Sequence, residues 1–206
     1  MSFELIEGVS LTPECLDGIS SAYQLCDDGV GVIDSVLSAE LIRPLLERGV
    51  GLLPEPHFFF LELPCTEEEE KKLRKSKTDP LHYNVYYLDG CTAPVSKALL
   101  DRYGELLIND GLVRFGFGSN LTDEEIYVLD YQQVRVCADD DRFQPLFDEL
   151  GAVKTVKLKT VWENFSPEHA GISMSVEIEG ETCADIPEIL GPEGMYLAET
   201  REIGGR

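Results

Sequence analysis

Between Val113 and Cys137 the apolar residues fall on alternate positions, and this period of two constrains the fold more tightly than any other feature of the chain. Val113, Phe115 and Phe117 alternate with Arg114 and Gly116, and Ile126, Val128, Val134 and Val136 share one parity of a run that ends at Cys137. Residues two apart on a strand share a face, so each run reads as a strand with one dry and one wet side. Together they predict a hairpin over 111–137. Ile172, Met174, Val176 and Ile178 alternate with Ser173, Ser175 and Glu177, again the pattern of a half-solvated antiparallel strand. His57–Leu63 and Tyr83–Leu88 add two aromatic strands. The first reads as a central strand and equally as an edge or interface.

A period of 3.6 appears between these runs. Val95, Leu99, Tyr103, Leu106 and Leu107 predict a helix over 93–108, and Phe143, Leu146, Phe147 and Leu150 predict one over 141–150. Asp139 to Asp141 stand where an N-cap is needed for the second, and Gly151 where a helix stop is needed. Thr12-Pro13 predicts a helix start, with the helix running into Tyr23–Cys26. Ser38 predicts another start, with Leu41, Leu45 and Leu46 on one side and a kink or break at Pro44. Thr66 and Glu69 fit a capping box, followed by a solvated helix or loop. Residues 153–165 fit a strand through Val156, Leu158 and Thr160 and, equally well, a helix face through Leu158, Val161, Trp162 and Phe165.

Strands interleaved with helices predict an α+β fold: a mixed or mainly antiparallel sheet with helices packed on it. At 206 residues the chain is expected to form a single globular domain over 1–206, with a subdivision near 76–80 as the alternative and a flexible tail over 200–206.

Charge narrows the partners. The formal net charge is −22, which argues against nucleic acid and against anionic membranes, since both need cationic surfaces. It is uneven: residues 1–70 hold 15 acids and 2 bases, residues 71–118 hold 5 and 8, and residues 119–206 hold 19 and 7. Five bases fall within Lys71–Lys77, enough for one local anionic contact on an acidic protein. No basic residue precedes Arg43, where a secretory or transit signal would need one, so a cytoplasmic location is expected.

Chemistry-bearing residues are scattered. Cys15, Cys26, Cys65, Cys91, Cys137 and Cys183 form no Cys-x-x-Cys pair, so zinc ribbons and dithiol redox motifs are not indicated. Cys91 follows an Asp-Gly turn and precedes the 93–108 helix, whose N-terminus would favour a thiolate. Cys65 stands similarly before Thr66. A cysteine nucleophile needs a base, and His57, His82 and His169 are the candidates. No metal or cofactor motif is present: Asp139 to Asp141 lack the spacing of a calcium loop, and Gly116–Asn120 reads as a turn between strands instead of a phosphate loop. Trp162 and Phe165 are the candidate binding anchors, with core packing as their bland alternative.

The reading is therefore a non-catalytic, acidic, cytoplasmic interaction module that binds a basic protein in the manner of an inhibitor or immunity protein. The alternative is a small enzyme with a Cys/His or carboxylate site.

Overall fold

The computed structural model describes residues 3–26 and 31–203. Its elements in chain order are β1 (Val9–Ser10), β2 (Ala22–Leu25), β3 (Ile33–Val36), α1 (Ala39–Gly49), β4 (His57–Pro64), α2 (Glu67–Leu73), β5 (His82–Cys91) and α3 (Ala93–Asn109). There follow β6 (Arg114–Ser119), β7 (Glu125–Val128), β8 (Gln133–Cys137), α4 (Gln144–Glu149), β9 (Val153–Lys154), β10 (Ile172–Ser173), α5 (Ile186–Leu190) and β11 (Tyr196–Glu202). Nine strands form one sheet in the order β11-β5-β4-β6-β7-β8-β3-β2-β9, and β1 pairs with β10 separately. Every neighbouring pair in the large sheet is antiparallel except β2–β9. The fold is α+β with a mostly antiparallel sheet.

The strand register sorts side chains onto two faces. Phe59, Leu61, Leu88, Phe115, Phe117, Ile126, Val128, Val134 and Val136 point to one side, as cross-strand partners of one another. There they join Leu45 and Leu46 of α1, Leu99, Tyr103 and Leu107 of α3 and Phe147 of α4 in a cluster that runs from Ile6 to Met195. Burying such a face at roughly 25 cal/mol per Å² of apolar surface is the main drive to fold. On the other side a small cluster, Ile19, Val36, Leu158 and Val161, covers the β2–β3 end only. The connection over 76–80 links α2 to β5 and is held by Asp79, whose carboxylate accepts from the Lys75 and Ser76 amides.

Several expected elements form as read. Thr66 and Glu69 make both bonds of the capping box, α3 covers the expected 93–108, and β4 lies between β5 and β6 in the sheet interior. Others differ for identifiable reasons. Thr12-Pro13 opens only a single 3-10 turn over Pro13–Leu16, because Gly18 takes a left-handed φ of 69° and Tyr23 is recruited into β2. Pro44 does not split α1, which runs from Ala39 to Gly49 with the proline inside it. The helix predicted over 141–150 starts at Gln144, and Asp140 accepts from the Arg142 amide instead of capping it. Gly151 does supply the stop, with φ 78°.

Gly116 and Gly118 lie inside β6, not at a turn; a Cβ on Gly116 would come within 2.6 Å of the Phe60 ring, and one on Gly118 within 2.1 Å of the Phe58 ring. The turn falls between Ser119 and Glu124, whose backbones bond to each other. Only Ile172–Ser173 of the alternating 172–178 run pairs as a strand, since the Asp110 carboxylate takes the Val176 amide and the Ser175 hydroxyl. Neither reading of 153–165 holds throughout: β9 ends at Lys154, the Leu158 amide bonds the Gln24 side chain, and Val161–Asn164 is a 3-10 turn. Of the tail expected over 200–206, Thr200, Arg201 and Glu202 instead pair with Asn84, Tyr83 and His82 in β11; residues 204–206 lie outside the described part.

Candidate interaction face

The alternate register positions of the central strands project away from the helices. Phe58 and Phe60 of β4, Tyr87 of β5 and Tyr127 of β7 meet there, with ring centroids 5.1–6.0 Å apart. The two glycines of β6 leave the room that the Phe60 and Phe58 rings occupy beside the strand, so the row is set by a small residue on one strand and an aromatic on the next. None of these four rings belongs to either hydrophobic cluster. Phe60 and Tyr127 are buried by their neighbours, whereas Phe58 and Tyr87 are partly exposed. Tyr196 of β11, in register with Tyr87, extends the row and is 48% exposed.

Beside the rings lies a charged network centred on Glu62, which is fully buried. Tyr127 Oη donates to Glu62 Oε1 at 2.5 Å, and Arg201 donates to the same oxygen. Arg114 Nη1 stands 3.9 Å from Glu62 Oε2 and its guanidinium forks onto Asp130. Burial alone would lower the Arg114 guanidinium, but the Asp130 carboxylate holds it above its ordinary value. Burial, and then the adjacent Glu62 charge, push the Tyr127 phenol well up. Burial with the Asp130 charge pushes Tyr83 up to about 12. Farther along, Arg135 pairs with Asp34. This face carries Asp34, Glu62, Glu125, Asp130 and Glu199 against Arg114, Arg135 and Arg201, so it is net acidic like the chain.

The face is bounded by the segment bearing the predicted anchors. A cavity of about 230 Å³ lies between Gln24, Asp34 and Arg135 of the sheet and Leu158 and Thr160. Beyond it Trp162 is 51% exposed and stands edge-on to Tyr131 and Phe165, at 4.8 and 5.3 Å between centroids. Rings this close fill one another's edges and leave no slot for a cation between them, so the trio is a packed knob and not a cage. Tyr131 and Gln132 take left-handed φ values of 52° and 60°, a conformation costly for residues with a Cβ. Gln132 offsets the cost with its side chain, which accepts from the Ile6 amide and donates to the Glu4 and Leu37 carbonyls.

The candidate catalytic residues fall elsewhere. His57 and Cys91 are cross-strand partners, a juxtaposition that the sequence alone did not give. Both ring nitrogens of His57 are engaged, Nδ1 with Ser96 Oγ and Nε2 with the Leu53 carbonyl, each at 3.1 Å. The Cys91 thiol points to the Leu88 carbonyl, and burial pushes it up, against the pull expected from a helix N-terminus. His82 pairs with Glu70, and His169 lies 3.7 Å from Glu14. Burial, followed by Glu69 and Glu70, pushes the Cys65 thiol up to about 11. Among the described residues no three His, Cys, Asp or Glu side chains converge as metal ligands, and no helix is long and apolar enough to cross a membrane.

Sequence reasoning named Trp162 and Phe165 but missed Phe58, Phe60, Tyr87, Tyr127 and Glu62. The signal was present in the parity of His57–Leu63, where Phe58, Phe60 and Glu62 share one face and Phe59 and Leu61 the other. Comparison with family models, with curated proteins and with solved structures gave no match.

Proposed function

We propose that the protein is a non-catalytic interaction module that docks a basic partner protein on the face of the sheet opposite the helices. The observation that carries this reading is the ring row Phe58-Phe60-Tyr87-Tyr127, which lies outside both hydrophobic clusters and beside a net acidic set of side chains. Rigid aromatic area flanked by charge is the composition of interface hot spots. The chain's charge of −22 adds long-range attraction for a cationic partner and speeds encounter. A partner of this kind is what an inhibitor- or immunity-like protein covers. The reading places the protein in the cytoplasm, in keeping with six cysteines that form no disulfide with one another.

The test is affinity capture with immobilised wild-type protein and with the double variant Phe58→Ser/Tyr87→Ser, at low and at high salt. A basic protein retained by wild type, released as salt rises and lost with the variant is the expected result. Equal retention by both proteins would contradict the assignment of the face.

A further inference from the structure

The five bases of Lys71–Lys77 form the densest basic run of an acidic chain, and four of them line a cavity. Lys71, Arg74, Lys75 and Lys77 line a space of about 590 Å³ at the end of α2, within the range of small-molecule sites. Two carboxylates, Glu67 and Glu70, also line it. Both oxygens of Glu70 are already engaged, by the His82 amide at 2.6 Å and by His82 Nδ1 at 3.1 Å. Arg74 Nη2 donates to the Lys77 carbonyl, while its Nε is buried and makes no hydrogen bond. Leu81, 50% exposed, and Cys65 supply an apolar wall.

We propose that this cavity binds a small organic phosphate monoester. Four cations against two carboxylates leave a local charge of +2, which matches a phosphate monoester at −1.5 to −2. Lysine ammoniums act on phosphate as point charges and arginine as an oriented donor, and Arg74 lines the cavity with the three lysines. The volume exceeds that of the phosphate alone, and the Leu81 and Cys65 side takes the apolar body of the ligand. The cavity is lined by α2 and the loop after it, not by the ring row, so it stands or falls independently of the docking face.

The test is an amide-resolved NMR titration with two probes, adenosine 5′-monophosphate and inorganic phosphate. Saturable shifts at Lys75, Ser76, Lys77 and Leu81 are expected, with the nucleotide about tenfold tighter than inorganic phosphate. The double variant Lys71→Ala/Lys75→Ala should weaken nucleotide binding about tenfold or more, while Lys97→Ala, on α3, leaves it unchanged. Unchanged thermal melting of the variants shows that the fold is intact, as exposed lysines allow. Absence of saturable shifts up to about 10 mM of either probe, or equal binding by wild type and double variant, would overturn the proposal. Equal affinity for the two probes would overturn the assignment of an organic monoester.

Discussion

Tyr131 holds a left-handed backbone at φ 52° and stands edge-on to Trp162, with ring centroids 4.8 Å apart and planes at 88°. The neighbouring Gln132, also left-handed, fastens this corner to the N-terminal segment through Glu4, Ile6 and Leu37. Replacing Gln132 with Ala leaves two buried backbone groups, the Ile6 amide and the Leu37 carbonyl, and the part-buried Glu4 carbonyl without that partner. A loss of about 2–4 kcal/mol is expected from urea unfolding, with a red shift of Trp162 emission as the knob loosens. A variant within about 0.5 kcal/mol of wild type would show that the corner is held by something else.

The ring row depends on glycine. A Cβ at Gly116 would approach the Ile126 carbonyl to 2.2 Å and the Phe60 ring to 2.6 Å. Gly116→Ala should therefore cost about 1–3 kcal/mol, the penalty of overpacking. Gly191→Ala meets nothing within 4 Å and has an ordinary helical φ of −54°, so it should be neutral or slightly stabilising. Matching losses at the two positions in a denaturant series would mean that the packing of Phe60 over Gly116 does not matter.

Alkaline pH should unfold the protein through its tyrosines. Burial, then Asp148, pushes Tyr23 up to about 12; Tyr83 also lies at about 12, and Tyr127 is raised as well. In the unfolded chain each ionises near the ordinary value of about 10. Raised folded values mean that this stability is fully present below about pH 10 and is lost as pH rises toward 12. Absorbance at 295 nm should show part of the eight tyrosines ionising only with unfolding. A single reversible native transition of all eight near pH 10 would contradict the buried network.

Thiol alkylation separates docking from cysteine catalysis. Burial raises Cys91, and Cys26 and Cys65 are pushed up to about 11 by burial with nearby carboxylates. A thiol at 11 has less than about 1% of the thiolate of a free cysteine at neutral pH. Native-state alkylation of these three at pH 7 should be far slower than that of a free thiol and should become ordinary in denaturant. Rapid native modification of Cys91 would restore the enzyme reading built on Cys91 and His57.

Legibility in the sequence followed the range of the forces. The capping box at Thr66, the amphipathic α3 and the alternation of β6 are local patterns, and they form as read, whereas the run expected over 126–137 keeps its parity but divides into β7 and β8, which pair with each other. Helix extent after Pro13 and the strand over 172–178 were decided by distant partners, β3 for Tyr23 and Asp110 for Val176. The break at Tyr131 and Gln132 needed four hydrogen bonds from segments about 95 to 130 residues away, which no local pattern announces. The docking face was partly legible: parity divides Phe58, Phe60 and Glu62 from Phe59 and Leu61, but which side the helices take emerges only from packing.

Oxidative side-chain footprinting of the protein, free and with its captured partner, tests the docking face most directly. Phe58, Tyr87, Tyr196 and Trp162 are partly or half exposed on or beside that face, whereas Val95, 44% exposed, lies on the helix layer. Loss of oxidation at the first group with Val95 unchanged is the expected result. Protection of Val95 with Phe58 and Tyr87 still oxidised would place the partner on the helices and contradict the account.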